Sequence, residues 1–130
     1  VSGLCVAAGA LVAFLPVQAF TLAWTHSIEK VRWEEDWRIE AGRLVIAQAR
    51  IRASGAGMEP PDDAVLEHGV WRYRPRLAPI ERLRLAHSNF VAGYTLCAAG
   101  RCRPLAELAG PAHNATVELY ACDGRPENGR

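Results

Sequence analysis

Charge is missing from the first 19 residues, and lysine is nearly missing from the remainder, where Lys30 is the single lysine among 15 Lys and Arg residues. The uncharged stretch contains one apolar run, Leu4 to Val17, interrupted only by small residues and Pro16. About 20 apolar residues are needed to cross a hydrocarbon core, so the run is too short to span a membrane comfortably. It does match the apolar region of a signal peptide. Val17-Gln18-Ala19 then supplies small residues at the two positions a signal peptidase reads. Residues 1–19 are therefore expected to be a signal peptide or a retained N-terminal membrane segment, with the mature chain starting at Phe20 in the periplasm or cell envelope. Cys5 does not fit a lipoprotein signal, because the apolar run follows it instead of preceding it. The preference for arginine fits a GC-rich coding sequence better than a selected need for guanidinium forks.

Other absences narrow the function. A net charge of +1 excludes the strongly basic face of a general nucleic-acid binder. No Gly-x-Ser-x-Gly elbow and no Asp-x-Asp-x-Asp-Gly calcium loop occur. Gly55-Ala56-Gly57 lacks the third glycine of a dinucleotide fingerprint, and Pro60-Pro61 stops any helix from following it, so it reads as a tight turn. His26 and Ser27 are neighbours on an extended segment and point to opposite faces, which makes them a poor base and nucleophile pair. His68, His87 and His113 have no ligand-like spacing. No metal and no cofactor are expected.

What is present is the pattern of one small β domain. The chain has 130 residues, 50% hydrophobic and 22% charged, which is room for one globular core. Phe20, Leu22 and Trp24 alternate with Thr21, Ala23 and Thr25, the period of a half-buried strand. Residues 35–40 and 44–52 flank Ala41-Gly42-Arg43 and read as a hairpin, with β-branched Val45, Ile46 and Ile51 favouring strand over helix. Residues 54–63, with two glycines and two prolines, form a loop. Further short strands fit 70–74, 82–86, 91–97 and 116–122, with a turn or two of helix over 104–110. The fold class is all-β: a small antiparallel sandwich or partly open barrel of about seven strands over residues 20–122, with 123–130 a disordered tail.

Cys97 and Cys102 stand on either side of a four-residue link containing Gly100 and form a natural disulfide in an exported protein. A zinc site there would need two further ligands that the sequence does not offer at recognised spacing. Cys122 is then the odd cysteine, either a buried free thiol or a competitor for one of the other two. Glu29, Glu34, Glu35 and Asp36 crowd one segment that reads as a solvated charged turn, within which one carboxylate can pair with Arg50 or Arg52 of the facing strand. Arg72, Arg74 and Arg76 share one face of an alternating stretch, with Trp71 and Tyr73 on the other, where they face solvent or meet an acidic partner or lipid head groups.

The stretches Phe20-Thr-Leu-Ala-Trp-Thr-His-Ser-Ile-Glu-Lys30, Glu34-Glu-Asp-Trp-Arg-Ile39 and Arg52-Ala-Ser-Gly-Ala-Gly-Met-Glu-Pro60 resemble the bacterial domain-of-unknown-function family 1850. The resemblance covers about residues 20 to 122, and its signature is carried by His26, Ser27, Glu29, Glu35, Gly55 and Gly57. It brings no established activity. It implies a small exported protein associated with tripartite ATP-independent periplasmic (TRAP) transporters of the type that uses a TAXI-class solute receptor. The expected function is a non-enzymatic, membrane-proximal accessory role, with such a permease or its solute receptor as partner. Two other readings stand beside it: a periplasmic hydrolase or metal-dependent enzyme using His26 with Glu29 or Glu35, and a stand-alone small-ligand binder. In every case His26, Ser27, Glu35 and the Gly55-Gly57 loop are expected to form one local site.

Overall fold

The computed structural model describes residues 2–25, 31–52, 62–87, 93–109 and 115–124. They form two antiparallel sheets packed as a sandwich. In chain order the strands are β1 (Ser2–Ala8), β2 (Leu11–Leu15), β3 (Ala19–Thr25), β4 (Arg32–Glu40), β5 (Arg43–Arg52) and β6 (Val65–Glu67). They continue with β7 (Val70–Tyr73), β8 (Leu83–His87), β9 (Thr95–Ala98), β10 (Arg101–Pro104) and β11 (Ala115–Asp123), and the helix α1 (Leu105–Ala109) lies between the last two. The smaller sheet runs β2-β1-β11-β8 and the larger β10-β9-β3-β4-β5-β7-β6. The sandwich alternative is thus the one realised, since each sheet keeps its own edges instead of closing into a barrel.

Local chemistry accounts for the hairpins. Between β4 and β5, Ala41 and Gly42 both have positive φ, 52° and 76°, and between β9 and β10, Ala99 and Gly100 repeat this at 52° and 78°. Two successive positive φ values give a turn whose twist matches that of the strands it joins, and glycine at the second position removes the Cβ penalty. Strand β5 carries one extra residue: Asp36 pairs with Gln48 but Trp37 pairs with Ile46, so Ala47 is a bulge. Side chains alternate across each strand. Phe20, Leu22, Trp37, Leu44, Ile46 and Leu96 of the larger sheet meet Leu4, Val6, Leu15, Leu85, Val117 and Leu119 of the smaller in one buried cluster. Leu105 of α1 joins it, fully buried, and its N–H donates to the carbonyl of Tyr94 at 2.8 Å.

Residues 2–19, within the stretch expected to be a leader or membrane segment, form the first strands of the fold in this structure. Ser2–Ala8 and Leu11–Leu15 form a hairpin, β1 pairs with β11 from Ser2↔Asp123 to Ala7↔Glu118, and Leu4 and Val6 are 0% exposed. The β fold therefore takes in this hairpin as well as the region from Phe20 onward, where nine strands among the described residues, β3 to β11, stand against the expected seven or so. The physical reason is that an uncharged apolar run serves equally well as the core of a leader and as a strand buried between neighbours. Asp123 likewise belongs to a strand instead of the tail, while 125–130 lie outside the described residues.

The cysteines follow from this topology. Cys97 and Cys102 are directly opposite on β9 and β10 and are joined, as expected. Cys122 is not left over: it is bonded to Cys5, 117 residues away in sequence. In chain-entropy reasoning, closing so long a loop stabilises the fold by about 5 kcal/mol, against about 2 kcal/mol for the short one. No free cysteine remains among the described residues. Two disulfides in so small a chain are the covalent pattern of an oxidising compartment.

Candidate functional site at the aromatic end of the larger sheet

Strand β4 carries three acids in a row, Glu34-Glu35-Asp36, and the strand period sends the middle one to the opposite face from its neighbours. The sequence pattern offered a solvated turn for these acids beside a strand over 35–40. The structure places all three within the strand, which starts earlier, at Arg32, because Trp33 and Trp37 give it an apolar inner face on which to pair with β3 and β5.

On the outer face Glu34 and Asp36 converge on Arg50 of β5. Glu34 Oε1 accepts from Arg50 Nε at 2.9 Å, and Glu34 Oε2 accepts from Arg32 Nε at 2.9 Å and from Arg52 Nε at 3.4 Å. Both oxygens of Asp36 accept from the two terminal nitrogens of Arg50, and Oδ1 also accepts from Thr21 Oγ1 at 2.7 Å. Gln48 Oε1 takes a further N–H from Arg50 at 3.2 Å and one from Arg72 at 3.4 Å. The expected pairing of an acid in this segment with Arg50 or Arg52 is thus present twice over. The cluster is largely shielded, with the side chains of Glu34 and Arg50 only 12% and 15% exposed. Burial alone would raise the Glu34 pKa, but hydrogen bonds from Arg50, Arg32 and Arg52 outweigh it and hold the carboxyl down at about 2. Asp36 is likewise lowered: burial opposes the shift, and the bonds from Arg50 and Thr21 overcome it. This cluster is internally satisfied and binds the sheet together.

The inner face is different in kind. In register across the sheet, Leu22, Glu35, Ala49 and Tyr73 form one row, and Trp24, Trp33, Ile51 and Trp71 form the next. The Trp24 and Trp33 rings stack with centroids 6.1 Å apart, and Tyr94 tilts against Trp24 at 5.6 Å. Glu35 Oε1 accepts a hydrogen bond from Trp37 Nε1 at 3.0 Å, and no arginine or lysine among the described residues pairs with it. Burial raises the pKa of Glu35, partly opposed by that N–H donor. Its charge is felt nearby: the pKa values of Tyr94 and Tyr73 are raised by burial first and by Glu35 next, with Asp63 also acting on Tyr73.

Tyr73 links this row to an open cleft of about 360 Å³ lined by Asp62, Asp63, Tyr73, Arg74, Pro75 and Arg76. Strand β7 ends at Tyr73, and the chain that follows carries Arg74 and Arg76 without strand pairing. The expected continuous face of Arg72, Arg74 and Arg76 therefore reduces to Arg72 within the sheet, which pairs with Glu67 at 3.6 Å.

Of the six signature residues singled out in the sequence, the structure places Glu35. His26, Ser27, Glu29, Gly55 and Gly57 lie outside the described residues, and so does the expected grouping of these positions with Glu35. Among the described residues there is no group of three or more His, Cys, Asp or Glu side chains arranged to hold a metal ion. Tyr73, Tyr94, Trp24 and Trp33 were not read as site residues. The spacing Trp33-x-Glu35-x-Trp37 was the available signal, since period two puts a carboxylate between two indoles on one face.

A family model described as "Domain of unknown function (DUF1850)" matches residues 20–105. No curated protein and no solved structure matches the chain.

Proposed function

The chain belongs to the DUF1850 family of domains of unknown function, and from that premise we propose that it is a non-enzymatic recognition domain of the cell envelope, accessory to a membrane uptake system. The resemblance noted in the sequence names the system as a TRAP-type transporter, with its permease or solute receptor as partner. The observation that carries the reading is Glu35, a carboxylate set among aromatic side chains with a single N–H donor and no counter-charge among the described residues. Even a half-buried carboxylate costs stability unless a partner compensates it, and sites of recognition are where such a cost is retained. Aromatic walls with a few polar groups are the usual lining of a binding site.

The test is growth that depends on the uptake system. Glu35→Gln keeps an acceptor for the Trp37 N–H and removes the charge. The variant is expected to lose uptake while keeping the parent's melting temperature; unchanged uptake would overturn the reading. Export is tested separately by mass spectrometry of envelope material. A chain beginning at Phe20 would confirm cleavage and lack β1, β2 and Cys5, leaving Cys122 as a free thiol. A chain retaining Cys5 bonded to Cys122 would show that the hairpin stays with the mature fold.

A further inference from the structure

The cleft beside Glu35 has an unusual balance of charge. Its wall carries two carboxylates, Asp62 and Asp63, and two guanidinium groups, Arg74 and Arg76, around the ring of Tyr73 and the face of Pro75. Elsewhere among the described residues opposite charges come together as pairs: Glu34 and Asp36 with Arg50, Glu118 with Arg82 and Arg84, Glu67 with Arg72. In the cleft, none of the four charged side chains forms an ion pair with another among the described residues. Both signs are held around one cavity of about 360 Å³.

We propose that this cleft binds a small zwitterion of amino-acid type, its ammonium directed to Asp62 and Asp63, its carboxylate to Arg74 and Arg76, and its apolar side chain against Tyr73 and Pro75. The proposal deepens the recognition reading above and rests on it for biological meaning, although not for the binding itself. Carboxylates accept from an ammonium and guanidinium forks donate to a carboxylate in charge-assisted bonds that neutral analogues cannot reproduce. A ligand with only one of the two charges forgoes one of the two sets of charge-assisted contacts and leaves the other pair of cleft residues to water. The cavity is of the size that small-molecule sites occupy.

The experiment titrates the full chain by isothermal calorimetry with three probes of similar shape: leucine, leucinamide, which has only the ammonium, and N-acetylleucine, which has only the carboxylate. Leucine should bind saturably, and each single-charge probe should bind about tenfold more weakly or not at all, the loss expected for one charge-assisted contact. In the Asp62→Asn, Asp63→Asn double variant, leucine should fall to the level of N-acetylleucine. In the Arg74→Gln, Arg76→Gln double variant it should fall to that of leucinamide. All four positions are exposed, so these variants should keep the parent's melting temperature. Equal binding of the three probes, or no binding of leucine, would overturn the inference. If leucine fails while Glu35→Gln still abolishes uptake, the ligand class is wrong and the recognition reading stands. If leucine binds as described while Glu35→Gln leaves uptake unchanged, the cleft stands and the recognition reading falls.

Discussion

The two faces of β4 treat identical chemistry in opposite ways. Glu34 and Asp36 on the outer face are surrounded by guanidinium groups from β4 and β5, so their charged forms are favoured and their pKa values fall. Glu35, one residue from each, looks onto tryptophan and tyrosine, and its pKa rises. Local sequence is the same for all three acids. The difference comes from the facing strand, which offers Arg50 and Arg52 to one side and Ala49 and Ile51 to the other. A carboxylate supplied with partners acts as a fastener between strands. Glu35, which has no charged partner among the described residues, carries a cost that invites a functional explanation.

The comparison is most sharply broken at Arg50. Arg50→Ala removes the guanidinium shared by Glu34 and Asp36, leaving Asp36 with Thr21 and Glu34 with Arg32 and Arg52, and is expected to lower unfolding stability by about 2 kcal/mol in urea denaturation. A loss within error of zero would mean the outer cluster is solvated and contributes nothing. Acid gives a related effect of about 3 kcal/mol. Glu34 lies at about 2 in the folded chain against an ordinary value of 4.5. Its contribution is therefore fully present above the ordinary value and is lost as pH falls from about 4.5 toward 2. Glu35 runs the other way: its folded pKa is raised, so protonation on acidification adds stability before the outer cluster begins to fail. The groups acting on it or responding to it are Trp37, Tyr73 and Tyr94. Stability measured from pH 7 to pH 2 should rise slightly and then drop, and the rise should vanish in Glu35→Gln. Thr21→Val removes one hydrogen bond to Asp36 and is expected to cost about 1 kcal/mol by thermal unfolding, since Arg50 still holds both Asp36 oxygens. The smallest change, and opposite in sign, is Glu35→Gln at neutral pH, where removing a half-buried charge that has no counter-charge among the described residues should leave the melting temperature equal or raised. A large fall would show that Glu35 has a structural counter-charge after all.

Much of the larger sheet was readable residue by residue. The alternation of Phe20, Leu22 and Trp24, the Ala41-Gly42 turn and the Cys97–Cys102 bridge each depend on residues close in the chain, and close residues have few geometries open to them. The smaller sheet was not readable in the same way. Its centre is the pairing of β1 with β11, from opposite ends of the chain, and no local pattern announces which distant strand a segment will meet. Cys122 thus looked unpaired in the sequence until the fold brought Cys5 beside it.

By itself the sequence determined the all-β class, the short-range hairpins and the family, because strand period, turn chemistry and motif spacing are properties of neighbouring residues. Only the tertiary structure decided which of three adjacent acids would be paired and which exposed to aromatic walls, and which end of the chain would complete the core. Those outcomes depend on what the facing strand presents, and the facing strand is chosen by the burial of the whole apolar surface instead of by any local stretch of it.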